Sequence, residues 1–154
     1  MRNPIRLLLH VPVPWVFVLT YLGGVVLEHF FPSGAKSLHG LDLAGGVLFL
    51  IGAVVAGFSL LIFHKQRTTT TPGESSSKLV TWGPYRFSRN PMYVGLVLAY
   101  VGEAGLLKQA WPVVLLPFTV AYVSYIVIPV EEARLKEVFP AEYEQYRSRV
   151  RRWI

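Results

Sequence analysis

Apolar stretches separated by short polar segments dominate this chain. Val11 to Leu27 is 17 residues without a charge, Leu43 to Phe63 is 21, and Gln109 to Val130 is 22. A helix needs roughly 20 apolar residues to cross about 30 Å of hydrocarbon. A fourth apolar stretch, Pro91 to Leu107, is shorter and carries one carboxylate, Glu103, near its outer end. The pattern predicts an all-α fold: a polytopic membrane helical bundle forming one domain over residues 1–154. Its four spans are expected at about 13–31, 41–63, 91–107 and 110–130. Pro129 is expected to end the fourth span. Residues 131–154 then form an amphipathic cytoplasmic tail, with Leu135, Val138, Phe139, Tyr143, Tyr146 and Val150 as its apolar positions and Pro140 dividing it in two.

Small residues mark where the helices meet. Gly45, Gly52 and Ala56 fall at i, i+7 and i+11, on one stripe of span 2, and Ala53 and Gly57 make a second small pair. Lipid supplies no hydrophobic force between helices, so small residues act by allowing backbones to approach. Span 3 contains Gly95, Gly102 and Gly105 and reads as an interrupted helix, leaving room beside span 2 for a lipid-borne group. His64 to Arg89 is polar and rich in Thr, Ser, Pro and Gly, which predicts a loop. Asn90-Pro91 then reads as a helix start, with Asn as cap and Pro at the first helical position.

Charge gives the bundle its direction. The 15 Lys and Arg against 9 Asp and Glu give a net charge of +6. Thirteen of the fifteen cations fall before span 1, between spans 2 and 3, or after span 4, leaving Lys36 and Lys108 on the other side. That asymmetry predicts an integral membrane protein with both termini cytoplasmic. It also makes the basic face a contact for membrane lipids rather than nucleic acid. Arg2 and Arg6 precede an apolar run, as in a signal peptide, but no small-residue cleavage site follows, so the run reads as a retained span. The chain has no cysteine, and its four histidines are scattered, so no metal site is expected.

Chemistry concentrates at the cytoplasmic level. Leu79 to Gly95 joins aromatic residues, Arg86, Arg89 and a helix N-terminus, whose amides and dipole favour anions. Tyr85 and Tyr93 are placed to cover a planar ring. Glu131-Glu132 stands at the same level, at the end of span 4. A belt of interfacial aromatics and arginines does not call for paired carboxylates there.

The run Gly83-Pro84-Tyr85, then Arg89-Asn90-Pro91-Met92-Tyr93-Val94-Gly95, an apolar hairpin, Glu131-Glu132 and the tail residues Leu135, Phe139, Tyr143, Tyr146 and Val150 resembles the isoprenylcysteine carboxyl methyltransferase and phospholipid N-methyltransferase superfamily. The resemblance, to the bacterial-type small members, implies an integral methyltransferase of a bacterial inner or cell membrane that uses S-adenosylmethionine on a hydrophobic or amphipathic acceptor. It implies cofactor contacts from Ser77, Lys78, Leu79, Val80, Tyr85, Asn90, Pro91, Met92, Tyr93 and Glu131, with Glu132 adjoining. Arg89 and Glu131 are expected as the catalytic residues, with Arg89 holding the cofactor carboxylate or an anionic substrate head group, or else extending to water. Prenylcysteine enzymes of this superfamily place an arginine four residues before the matching glutamate, where this chain has Val127. Neighbouring helical residues point about 100° apart, so only one of the two glutamates faces a pocket; Glu131 is assigned to it, and Glu132 either to supporting it from behind or to anchoring the tail. Two other classes share parts of the pattern: an NADPH-dependent sterol-type membrane reductase and a non-catalytic membrane partner protein.

Reporter fusions at Ser37 and at the C-terminus are expected to report opposite sides of the membrane, because an odd number of spans separates them. The same side at both would break the four-span topology.

Overall fold

The computed structural model describes residues 12–35, 40–67 and 79–154, and among these it contains helices and no strand. Helix α1 is Val13–Phe30 and α2 is Leu41–Arg67. A short 3-10 turn, Gly83–Arg86, leads to α3, Pro91–Leu106. Helix α4, Trp111–Tyr122, runs through a π-helical turn, Val123–Val127, into α5, Ile128–Val138, and α6 is Pro140–Arg149. Among the described residues, three helices are long and apolar enough to cross a membrane: Val13–Phe30, Leu41–Ile62 and the continuous Trp111–Val138. At about 1.5 Å per residue, the 16 residues of α3 reach only about 24 Å. This fourth apolar helix is therefore short.

The most extensive pairing is α2 against α3. A Cβ on Gly52 would stand 2.7 Å from the Gly95 carbonyl oxygen, and one on Gly95 would stand 2.8 Å from that of Gly52. Gly45 and Gly102 form a second reciprocal pair, at 2.6 and 2.8 Å. Ala56 meets Gly95, and Phe49 meets Gly102, through their backbones. Two expectations change here. Span 3 is a continuous helix, and its glycines are contact points rather than interruptions. The space imagined between spans 2 and 3 is filled by backbone, so nothing passes between them. The other small pair makes no helix contact: Ala53 is exposed, and a Cβ on Gly57 would meet nothing within 4 Å.

Helix α1 packs on α4. A Cβ on Gly24 would lie 2.6 Å from the Pro112 backbone. One turn later Glu28, 6% exposed, accepts the Ala110 and Trp111 amides at 3.0 and 3.3 Å, at the start of α4. Its other oxygen accepts the Ser33 amide and hydroxyl at 2.8 and 2.6 Å. A carboxylate suits these otherwise unpaired helix-start amides and the positive end of the helix dipole. The sequence reading gave Glu28 no role, because its partners lie about eighty residues away. At the same end, Lys108 pairs with Asp42 at 3.3 Å, tying the α3–α4 hairpin to the start of α2. Phe17, Tyr21, Tyr93, Tyr100, Leu116, Val123 and Ile128 form the core between α1, α3 and the long helix.

The helix does not end at Pro129. The helix continues to Val138, beyond the expected 130. Proline removes one amide from the ladder and crowds the carbonyl four residues back. The π turn just before it widens the helix where that crowding falls. Residues 131–138 of the expected tail are thus the end of the long helix, and Pro140 is the first residue of α6.

Gly52→Ala is expected to cost about 1–3 kcal/mol, as overpacking does. Gly57→Ala, open to its surroundings, should change stability by about 0.5 kcal/mol or less. Thermal unfolding in detergent micelles reads both, and equal effects would contradict the contact map.

Candidate active site

The segment before α3 is held against α2. Gly83 takes φ +62, a left-handed conformation that favours glycine, and sits against Ile62 and Phe58. The following turn carries half-buried Tyr85, whose hydroxyl donates to the Ser59 carbonyl at 3.5 Å. Burial, and after it the charge of Glu131, pushes the Tyr85 hydroxyl up to about 12. It therefore remains a protonated donor at neutral pH. Tyr146, from α6, donates to the Tyr85 carbonyl at 2.7 Å.

Asn90 occupies the cap position of α3, but its side chain makes no cap bond. Its Nδ2 donates instead to the Arg152 carbonyl at 2.9 Å. Ser88, 3% exposed, accepts the Asn90 amide at 3.0 Å and donates to the Arg152 carbonyl at 3.3 Å. Pro91 is buried at the first helical position. One turn on, Tyr93 is 3% exposed, and its hydroxyl donates to Glu131 Oε1 at 2.9 Å. This bond joins the Arg-Asn-Pro-x-Tyr run to the glutamate pair across 38 residues of chain.

The two glutamates diverge. Glu131 is an exposed residue whose Oε1 accepts the Tyr93 hydroxyl. Glu132 turns the other way: Arg89 Nη2 lies 3.0 Å from its Oε1, and Arg152 donates to both oxygens, at 2.6 and 3.2 Å. The Arg89 side chain is 10% exposed, so it is held inside this cluster rather than extended to water. Met92 packs its side chain against the core, and Leu79 and Val80 are half-buried at the entry to the segment. Ser77 and Lys78 lie outside the described residues. The structure thus brings Tyr85, Arg89, Asn90, Pro91, Tyr93, Glu131 and Glu132 to one end of the bundle. Sequence reading missed Ser88 and Arg152 and took Tyr146 only as a residue of the tail; Arg152 counted there only among the thirteen cations of one side. An open, apolar concavity of 540 Å³ lies at the opposite end, lined by Phe30, Phe31, Trp111 and Val114 among others. It has none of this chemistry.

Comparison with known proteins gives this arrangement its class. The sequence profile of the phospholipid methyltransferase family matches residues 41–142. The chain belongs to the phospholipid methyltransferase family. It is also 29% identical over 139 residues to protein-S-isoprenylcysteine O-methyltransferase B of Arabidopsis thaliana, covering 88% of this chain and 68% of that protein. A probable protein-S-isoprenylcysteine O-methyltransferase of Oryza sativa subsp. indica is 30% identical over 134 residues, covering 81% and 69%. With three helices of membrane-crossing length, the protein is an integral membrane methyltransferase. The matched region includes both Tyr93 and Glu131.

Proposed function

We propose that this methyltransferase binds S-adenosylmethionine at the cytoplasmic end of the bundle and transfers its methyl group to a hydrophobic or amphipathic acceptor entering from the bilayer. The observation carrying this reading is the Tyr93–Glu131 bond, which puts an exposed carboxylate beside a helix start. S-adenosylmethionine supplies a methyl group activated on a sulfonium. The residues present fit such a ligand: Glu131 to accept from its ammonium or ribose hydroxyls, and Tyr85 as a protonated aromatic at the same level. A water-soluble, charged ligand reaches this end from the aqueous side, since hydrocarbon is closed to it.

Charge bookkeeping places Glu131 away from the reacting sulfur. A carboxylate against a sulfonium stabilises the charged ground state more than the transition state, in which that charge is being lost, and so slows transfer. The protein's contribution is alignment, which supplies about 7–11 kcal/mol when the reacting atoms are well placed. Tyr93 orients Glu131 for this, and Glu132 keeps to the tail.

The plant relatives are named for isoprenylcysteine. Val127, at the position of the prenylcysteine enzymes' arginine, is 5% exposed within the core. We therefore rank hydrophobic amines, thiols and neutral acceptors above a prenylcysteine carboxylate. Backbone contact closes the α2–α3 boundary, whereas α2 makes no extensive pairing with the long α4–α5 helix. We assign lateral entry to a face of the bundle other than the α2–α3 boundary.

Purified protein is expected to bind S-adenosylhomocysteine and not NADPH. Glu131→Gln should weaken binding by roughly 1.5–3 kcal/mol, the cost of a charge-assisted hydrogen bond. Calorimetry in detergent tests both; selective NADPH binding, or an unchanged affinity in the variant, overturns the assignment. In a methyl-transfer assay, hydrophobic amines or thiols should turn over better than a prenylcysteine analogue. Selective methylation of the prenylcysteine carboxylate would reverse the ranking, and turnover of water-soluble acceptors alone would remove lateral entry.

A further inference from the structure

The last residues of the chain are built into the candidate site. Arg152 engages it from two directions. Its carbonyl oxygen accepts Asn90 Nδ2 and the Ser88 hydroxyl, at 2.9 and 3.3 Å, which fixes the entry to α3. Its guanidinium grips both oxygens of Glu132, at 2.6 and 3.2 Å, which fixes the end of the long helix. The neighbouring Arg151 carbonyl accepts the Arg89 amide at 2.9 Å, and the Arg89 side chain returns to Glu132 at 3.0 Å. The result is a closed ring: the 88–90 segment, the tail, Glu132, and back through Arg89. Trp153 seats the tail against the core.

The ring bears on the Tyr93–Glu131 bond at both ends. Asn90 and Tyr93 are one helical turn apart, so fixing the first sets the second. Glu131 and Glu132 are neighbours on a rigid helix, so a grip on Glu132 sets the direction of Glu131. A two-point guanidinium–carboxylate contact defines an angle as well as a distance, which a point charge does not. Glu132 is 15% exposed on its side chain and Arg89 10%, so solvent screens their pairing little.

We infer that Arg152 is a positioning residue for methyl transfer: without touching the reactants, it sets the alignment of α3 with Glu131 that the cofactor site requires. The inference rests on the reading of Tyr93 and Glu131 as cofactor-facing groups. A tail that merely stabilises the fold would, when weakened, lower the melting temperature and leave the folded protein's affinity unchanged. Substituting the Arg152 side chain leaves its carbonyl bonds in place and so tests the guanidinium alone.

The experiment compares full-length wild type, Arg152→Ala and Arg152→Lys in detergent. S-adenosylhomocysteine affinity is measured by calorimetry, and helicity by circular dichroism at the same temperature. Arg152→Ala should keep its helicity and bind about tenfold more weakly, the low end of the loss for charge-assisted hydrogen bonds. Millimolar methylguanidinium should restore part of that affinity, and Arg152→Lys should fall between the two. Wild-type affinity in Arg152→Ala overturns the inference, as does a loss in a fully helical protein that methylguanidinium leaves unchanged. If Arg152→Ala does not fold, Arg152→Lys decides, and a wild-type affinity there overturns it. Failure of the wild type itself to bind S-adenosylhomocysteine overturns the cofactor reading instead.

Discussion

Backbone touches backbone where α2 meets α3, and the geometry of the chemical end follows from that contact. Gly45 against Gly102 and Gly52 against Gly95 repeat at seven residues in opposite chain directions, so the helices meet twice along the same stripe. Within lipid, helices associate through close packing and polar contacts, and a glycine stripe lets many backbone atoms come into range together. Such an interface has little freedom to slide, because each glycine accepts only the backbone atoms opposite it. Helix α2 runs into the polar loop and α3 emerges from it, so their register determines where residues 79–90 are displayed. Gly83 rests on Phe58 and Ile62, and Tyr85 reaches Ser59 on the same stretch of α2.

Polar contacts do the corresponding work at the two ends of the bundle. At one, Glu28 gathers the first amides of α4 and the loop after α1. At the other, Glu132 holds two arginines from segments far apart in sequence. A poorly hydrated ion pair contributes little net stability, because desolvation offsets much of the attraction. Its effect is geometric: a carboxylate shared by two guanidiniums fits few arrangements of the segments that carry them. The adjacent glutamate benefits, since the helix that orients Glu132 toward the tail turns Glu131 toward Tyr93. One dipeptide thus serves fastening and presentation on two faces of one helix.

The legibility of this in sequence follows the range of the forces involved. Charge-free runs report a span directly, because burial in hydrocarbon is a local requirement on each residue. The stripe of Gly45, Gly52 and Ala56 was legible for the same reason: it repeats within one helix. Its partners were misjudged, since glycines in span 3 read equally well as breaks, and only the facing helix shows that they are contacts. The course of the helix through Pro129 was not legible either. A proline's local rule says stop, and the π turn that lets the helix continue has no sequence mark of its own. The same holds for Asn90, a cap by residue type whose side chain is drawn away by the carbonyl of Arg152.

From the sequence alone came the helical membrane class, the sidedness of charge, the Arg-Asn-Pro-x-Tyr and Glu-Glu elements, and the divergence of Glu131 from Glu132. Each depends on hydropathy or on the 3.6-residue period, which act within a segment. Only the tertiary structure decided that Tyr93 bonds Glu131, that Glu28 caps a helix some eighty residues away, and that Arg152 closes the ring with Arg89 and Glu132. Those contacts join residues 20 to 82 positions apart, and their pairing is fixed by how helices pack, which no single segment encodes.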